Sequence, residues 1–248
     1  MANQEKNLVV LPAYNEQDSL PGTIAALQSL PAGFELLVVN DGSTDSTSQV
    51  AHAMVAQSRI PLRIVDLPVN GGIGVAVQTG YLFAAETLDY RYVIQFDADG
   101  QHDPRAVVTL VQACACEQLD LCIGSRFLDW RAGTYRSTCI RRVGIRFLAW
   151  LICTLGKANV TDPTSGLRCA GPRAWSAFVQ RYPDDYPEPE SLYWCIRNQL
   201  RVGEVPVCMY ERTAGRSSIR AGRSLYYMIK VTLAIAIDLL RPREASQP

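Results

Sequence analysis

Two aspartates separated by a single residue have the types and spacing needed to hold a metal ion. Asp97 and Asp99 directly follow the apolar run 92–96. In extended backbone alternate side chains point the same way, so the two carboxylates would converge and raise each other's pKa. A hard divalent cation, Mg²⁺ or Mn²⁺, relieves that repulsion, and Gln101 can supply a further oxygen. The same pattern suits a solvated turn capping a helix at Pro104, but its position after an apolar strand favours the metal.

Polar or glycine-rich segments also follow the earlier apolar runs. After the second run, the Asp41 carboxylate can accept hydrogen bonds from a nucleobase or ribose, whereas the Thr and Ser residues beyond it suit helix capping. After the third run, a glycine-rich turn lets the backbone approach a nucleotide closely. We therefore predict that Asn70, Gly71 and Gln78 join Asp41 in binding a nucleotide.

The elements that would position these residues alternate strictly through the first half of the chain. Short β-branched runs predict strands, and the segments between them open with capping or proline signals typical of helices. This alternation predicts an α/β fold with a mostly parallel, doubly wound sheet, whose ligands lie outside the carboxyl ends of the strands. The predicted strands are 8–11, 36–39, 62–67, 92–96 and 121–123, and the predicted helices are 18–30, 44–57, 74–87 and 104–116.

The alternation ends after residue 124. We predict a long helix over 137–155, a strand over 202–207 and a final helix over 224–240, with an acidic, proline-containing segment at 182–190. The chain divides on this basis into a catalytic domain, 1–215, and a C-terminal amphipathic helix and tail, 216–248.

Composition excludes several classes of function. The chain has 248 residues, and its 24 Lys plus Arg balance its 24 Asp plus Glu, so it lacks the positive field of a nucleic-acid-binding protein. Its eight cysteines have no zinc-like spacing, and no secretory signal precedes the first strand, so we expect reduced thiols in a cytosolic protein. The longest apolar windows are too short and too charged to span a bilayer.

Several motifs in a fixed order resemble those of family 2 glycosyltransferases with the GT-A fold. More narrowly, they are similar to the polyprenyl-phosphate branch, which includes enzymes like dolichol-phosphate-mannose synthase. The likeness covers nearly the whole chain, and the stretches that carry it are 12–16, 40–45, 70–74, 95–104, 124–127, 162–168 and 204–207.

The resemblance implies an inverting transferase that uses a divalent cation and a UDP- or GDP-sugar. It implies metal binding by Asp97, Asp99 and Gln101, with Asp97 also contacting the donor. Arg126 and Arg212 are implied to face the acceptor or the donor's phosphates and, with Asp99, to act in catalysis. Nucleotide binding is implied for Pro12, Ala13, Tyr14, Glu16 and Asp41.

The acceptor remains open between two chemistries. Transfer to a sugar hydroxyl, as in polysaccharide extension, needs a general base, for which Glu190, or failing that Glu188, is the candidate. These glutamates could equally belong to a solvated acidic loop. A lipid phosphate is already an anion and needs no base, so arginines would position it instead, with Arg212 and Arg216 in a loop that could close over the donor.

Two helix-like stretches predict association with a membrane surface. The segment 140–155 mixes arginines with large apolar residues, and 226–240 is apolar at helical spacing. Core packing, or pairing of subunits in a homo-oligomer, would explain each stretch separately. With a lipid-linked acceptor, we expect peripheral attachment to the cytoplasmic face of a membrane.

Two functions from other classes rank lower. A sugar nucleotidyltransferase would share the alternating sheet and a metal carboxylate, but the first loop lacks the Gly-, Arg- and Lys-rich sequence typical of such enzymes. A silent binding module would retain the fold without catalysis, which the presence of both Asp97 and Asp99 disfavours.

Overall fold

A single mixed sheet forms the centre of the molecule. The computed structural model describes residues 6–87, 89–128, 139–210 and 221–241. Within these ranges seven strands pair in the order β3-β2-β1-β4-β6-β5-β7. All neighbouring strands are parallel except β6, which runs antiparallel to both β4 and β5. The strands are β1 (Lys6–Ala13), β2 (Phe34–Asn40), β3 (Leu62–Asp66), β4 (Tyr90–Gln95), β5 (Leu121–Ser125), β6 (Arg168–Ala170) and β7 (Val202–Pro206).

Helices connect the strands and cover both faces of the sheet. They are α1 (Leu20–Leu27), α2 (Thr47–Val55), α3 (Ile73–Thr87), α4 (Arg105–Glu117), α5 (Cys139–Gly156), α6 (Pro172–Gln180), α7 (Pro187–Arg197) and α8 (Ala221–Leu240). The predicted mostly parallel, doubly wound sheet is confirmed, and each predicted strand and helix overlaps an observed one. The predicted boundary between residues 215 and 216 lies outside the described residues.

Apolar side chains that alternate between the two faces of a strand explain why helices cover both faces of the sheet. In β1, Leu8 and Val10 join one apolar cluster, whereas Val9 and Leu11 join the cluster on the opposite face. All four are at most 1% exposed. Because successive strand side chains point to opposite faces, such a run forms two cores at once and requires helices on both sides.

Three elements in the second half depart from the sequence prediction. Strand β6 is only three residues long and begins with the buried Arg168. Helix α6 was not predicted. Helix α7 begins at Pro187, so Glu188 and Glu190 lie in its first turn and the expectation of an acidic loop is wrong for these residues. Proline at the first helical position, followed by acidic residues, is a helix-start pattern.

Helix α8 packs against α5 and α7. Its Val231 and Ile235 are buried in the same apolar cluster as residues of α3 and α6. Among the described residues, no helix is long and apolar enough to cross a membrane.

Candidate functional site

The ends of β1 and β2 and the glycine-rich turn meet at Asp41. Its carboxylate accepts hydrogen bonds from the backbone nitrogens of Gly71 and Gly72, at 2.7 and 2.9 Å. Its own backbone nitrogen donates to the carbonyl of Ala13 at 2.9 Å. Asp41 is buried, and it therefore fixes the shape of the loop around the predicted nucleotide site.

The loop after β1 is held against the loop after β2. The backbone nitrogen of Glu16 donates to Thr47 Oγ1 at 2.9 Å, and Asn15 bonds with Ser43 and Thr44. Pro12 is buried in β1, whereas Tyr14 is exposed at the open edge of the sheet. Asn70 is likewise exposed. The structure thus brings the predicted residues of the first three strand ends together, with Tyr14 and Asn70 open to a ligand.

Gln78 lies apart from these contacts. Its amide nitrogen is 3.3 Å from the carbonyl oxygens of both Phe178 and Val179, at the end of α6. The structure therefore gives Gln78 a packing role between α3 and α6 in place of the predicted contact with a nucleotide.

Asp97 follows β4, and its carboxylate is only partly bonded. Its Oδ2 lies 3.4 Å from His102 Nε2, whereas its Oδ1 is buried without a hydrogen-bond partner. Burial raises the pKa of Asp97, but the hydrogen bond from His102 and the nearby charge of Arg126 outweigh that effect, so the pKa lies below its usual value. Asp97 is therefore an anion with one unpartnered buried oxygen.

Asp99 and Gln101 belong to a loop that is tied to the chain beyond β7. Asp99 is buried, and its Oδ1 accepts a hydrogen bond from the backbone nitrogen of Gln101 at 3.1 Å. The Gln101 amide nitrogen donates to the carbonyl of Tyr210, whose backbone nitrogen donates back to the Gln101 carbonyl. The chain then continues to Arg212, which lies outside the described residues.

The carboxylate oxygens of Asp97 and Asp99 are atoms that suit a divalent cation. In the part of the chain that is described, no group of three or more His, Cys, Asp or Glu side chains could hold a metal ion by itself. Mg²⁺ and Mn²⁺ accept fewer protein ligands when phosphates and water complete the coordination shell. The unpartnered Asp97 Oδ1 and the neighbouring Asp99 carboxylate fit a cation that arrives with a diphosphate.

Arg126 is anchored to the loop that follows α5, and its predicted contact with the acceptor or the donor's phosphates stays a prediction. Its guanidinium forms a two-pronged ion pair with Asp162, at 2.6 and 2.7 Å, and donates to Thr164 at 2.8 Å. The Arg126 and Asp162 side chains are 7% and 0% exposed. Glu204 on β7 holds the same loop by accepting from the backbone nitrogens of Thr161 and Asp162. Arg126 is thus held in a buried ion pair, and its charge also lowers the pKa of Asp97.

The two glutamates of α7 face different surroundings. Glu188 lies near Asp97, and burial raises the pKa of Glu188 while the nearby Arg168 lowers it and Asp97 raises it. Glu188 is thus close enough to Asp97 to feel its charge, and the choice between Glu190 and Glu188 as a general base stays a prediction.

Glu190 lines a cavity of about 290 Å³ between α6, α7 and α8, together with Arg181, Trp194 and Asp238. Burial raises its pKa to about 7, although the charges of Lys230 and Arg181 oppose the shift. This glutamate belongs to the packing of α8 and not to the group around Asp97.

Sequence analysis missed three residues that shape the site: His102, Asp162 and Arg168. His102 stands five residues after Asp97 and is one of only two histidines, which was an available signal. Asp162 and Arg168 lie within a motif that carried the resemblance, but their bonding depends on strand β6, which the sequence did not predict.

Comparison with known proteins assigns the chain to a family. The family model described as glycosyl transferase family 2 matches residues 8–169, more than half of the chain. Undecaprenyl-phosphate mannosyltransferase from Micrococcus luteus is 29% identical over 247 residues, covering 95% of this chain and 98% of the relative. Polyprenol monophosphomannose synthase from Mycolicibacterium smegmatis is 28% identical over 232 residues, covering 92% of this chain and 86% of the relative.

The fold is also found among solved structures. Glucosyl-3-phosphoglycerate synthase from Mycobacterium tuberculosis, in complex with Mn²⁺, UDP and glucosyl-3-phosphoglycerate, superposes with a TM-score of 0.66 at 24% identity, covering 94% of this chain and 79% of that one. That similarity shows the GT-A fold. With the family model and the two relatives, it establishes that the chain belongs to glycosyltransferase family 2, in its polyprenyl-phosphate branch.

Proposed function

We propose that this glycosyltransferase moves a sugar from a nucleoside-diphosphate sugar to a polyprenyl phosphate, with inversion at the anomeric carbon and with the help of Mg²⁺ or Mn²⁺. The observation that carries the proposal is Asp97, an ionised carboxylate at a strand end with a buried oxygen that lacks a partner. The bonds around Asp41 and the glycine-rich turn support a nucleotide site at the same edge of the sheet.

The donor would lie across these strand ends. Tyr14 and Asn70 are exposed there and can contact the nucleoside, while Asp41 keeps the glycine-rich turn in place. Asp97 and Asp99 would hold the cation, with Gln101 fixing their loop against Tyr210. When bound, the cation would neutralise charge that develops on the departing nucleoside diphosphate.

The acceptor is supported by the relatives, whose names specify undecaprenyl-phosphate and polyprenol monophosphate chemistry. A phosphate monoester is already a nucleophile at neutral pH, so this transfer needs no general base. A second candidate, transfer to a sugar hydroxyl, is favoured by the position of Glu188 beside Asp97, where a carboxylate could take the hydroxyl proton.

We also infer that α5 and α8 attach the enzyme to a membrane surface. Helix α8 exposes apolar side chains every three or four residues, including Tyr226, Ile229 and Leu233, at 58% to 60% exposure. Helix α5 exposes Val143 and Trp150, at 68% and 61%. The two helices are in contact, so these stripes lie on neighbouring elements.

The charges of α5 favour anionic lipid over a protein partner. Arg141, Arg142 and Arg146 are exposed on the helix that carries Val143 and Trp150. Apolar side chains interleaved with arginines suit the boundary between headgroups and acyl chains of an anionic membrane. A surface of this kind would bring the site to a lipid-linked acceptor.

A thermal-shift panel with UDP-, GDP- and dTDP-sugars tests the donor assignment. A ligand that binds the native state raises its melting temperature. We expect one nucleotide to give a shift that requires Mn²⁺ or Mg²⁺, disappears with chelator and is lost in Asp99→Asn. The absence of a shift with every sugar nucleotide would overturn the proposal.

A further inference from the structure

Arg168 is a fully buried arginine that forms no ion pair with any described carboxylate. It is the first residue of β6, between β4 and β5, and is 2% exposed. Its guanidinium donates to the carbonyl oxygens of Ser165 and Pro163, at 2.7 and 2.8 Å, and to the Glu188 carbonyl at 2.7 Å. A fourth hydrogen bond reaches Ser191 Oγ at 3.2 Å.

Burying such a charge is costly. A guanidinium taken out of water loses its hydration, and hydrogen bonds to neutral oxygens replace it only in part. A buried apolar side chain would avoid that cost at this position. The four bonds, which share one rigid planar group, therefore indicate a requirement for geometry.

The bonds join the two segments that flank Asp97. Pro163 and Ser165 belong to the loop whose Gly166 packs directly on the Asp97 carboxylate. Glu188 lies in the first turn of α7, on the other segment, where it is close enough for the Asp97 charge to raise its pKa. One guanidinium thus fixes the distance between the loop and the helix on either side of the metal-binding carboxylate.

We propose that Arg168 is a positioning residue for glycosyl transfer, which holds the Gly166 loop and the first turn of α7 in register around Asp97. The inference rests on the proposed function, because it concerns the same site. Because Arg168 is 2% exposed, it acts through the backbone segments that it joins.

The substitutions Arg168→Lys and Arg168→Met test this role. Lysine keeps the positive charge but lacks the planar group of donors that makes the four hydrogen bonds. Methionine removes both the charge and the donors. Arg173→Met is the matched control, because Arg173 is an exposed arginine on α6, paired with Asp120 just before β5. Each variant is first checked for cooperative thermal unfolding. Ser191→Ala, which removes only one of the four bonds, keeps the test possible if both Arg168 variants fail to fold.

Two measurements separate positioning from simple loss of structure. Displacement of a site by about 1 Å costs on the order of 100-fold in rate, so kcat should fall to that extent in folded Arg168→Lys, with the donor KM within about threefold of wild type. Ser191→Ala should show a smaller fall of the same kind. The Mn²⁺ electron paramagnetic resonance spectrum with UDP or GDP should change in the Arg168 variants and stay unchanged in Arg173→Met.

A folded Arg168→Lys with wild-type kcat and an unchanged Mn²⁺ spectrum would overturn the inference. If neither Arg168 variant folds, wild-type kcat in Ser191→Ala would overturn it. Failure of the proposed function can be distinguished from failure of this inference. In the first case the wild-type protein would form no product, but the Mn²⁺ spectra would still report whether Arg168 positions Asp97.

Discussion

Gly166 packs so closely on Asp97 that a β-carbon at position 166 would lie 2.6 Å from the Asp97 Oδ2. No unstrained structure holds a carbon and a carboxylate oxygen at that distance, so any side chain at 166 must displace Asp97 or the loop. The contact links the 162–168 motif to the aspartate that we propose binds the metal, although the two are distant in sequence.

Gly166→Ala should therefore lower glycosyl transfer by roughly 10- to 100-fold, because displacement of a ligand by about an ångström is costly to rate. The measurement is initial rate together with the Mn²⁺-dependent thermal shift. Gly22→Ala on α1 is the matched control, since a β-carbon at 22 meets nothing within 4 Å. Equal activity of the two variants would contradict the tight contact.

Replacement of the α7 glutamates distinguishes the two acceptors. With a polyprenyl phosphate, which needs no base, Glu188→Gln should keep activity within about threefold, because the amide preserves shape. With a sugar hydroxyl, the same change should lower kcat by about 100-fold or more. Glu190→Gln is the matched control two residues away. Loss of activity in Glu190→Gln but not in Glu188→Gln would contradict the assignment of Glu188, and not Glu190, to the site around Asp97.

Stability should depend on pH through Glu190. Burial raises its pKa from the ordinary 4.5 to about 7 in the folded protein. The folded state therefore binds the Glu190 proton more tightly than the unfolded state does. The free energy of unfolding that this proton contributes is fully present below pH 4.5 and is lost as pH rises through about 7. Glu190→Gln should raise the melting temperature relative to wild type at pH 8 but not at pH 4.5.

The exposed Glu86 supplies the control for that measurement. Glu86→Gln should change the melting temperature equally little at both pH values. A difference between wild type and Glu190→Gln that is constant from pH 4.5 to 8 would refute the assignment of the shift to this cavity.

Breaking the Arg126–Asp162 pair should destabilise the protein strongly. Arg126→Met leaves a fully buried carboxylate without its counter-ion, which typically costs about 3–5 kcal/mol of unfolding free energy. Arg173→Met removes an exposed guanidinium, while Asp120 keeps its hydrogen bond from the Arg201 backbone nitrogen, so the change should cost about 0–1 kcal/mol. Urea denaturation of both variants measures the difference, and similar costs would argue against a buried pair at Arg126.

Membrane attachment should depend on the exposed faces of α5 and α8. Sedimentation with vesicles should show binding to anionic but not to zwitterionic lipid, with weaker binding in the Trp150→Ser, Ile229→Ser double variant. Val55→Ser with Leu82→Ser replaces exposed apolar residues on α2 and α3 and should leave binding unchanged. Absence of vesicle binding, or a stable dimer lost in the double variant, would contradict a lipid-facing surface.

Much of the first half could be predicted from sequence, for identifiable reasons. Strands β1, β2 and β4 contain runs of buried residues that are mostly apolar, and Asp97 lies two residues after the end of β4. The expectation that Asp97 and Asp99 lie in extended backbone was wrong, because β4 ends at Gln95 and residues 98–99 form a turn.

The roles of Glu188 and Glu190 could not be predicted in the same way. They lie in a helix, where residues two apart point about 200° from each other around the axis, so only one can face the site. Helix α7 was not predicted, although Pro187 followed by acidic residues is a helix-start pattern, because prolines and acidic residues also suit a solvated loop. Strand β6 was concealed by its length of three residues and by Arg168, whose burial depends on carbonyl groups distant in sequence.

The most direct test of the central claim is transfer of labelled sugar to undecaprenyl phosphate in detergent, with the donor identified by thermal shift, for wild type and Asp97→Asn. We predict a lipid-soluble labelled product that requires Mg²⁺ or Mn²⁺, disappears with chelator and falls at least 100-fold in Asp97→Asn. Product formation that is indifferent to chelator and to Asp97→Asn would contradict the claim that this carboxylate holds the catalytic cation.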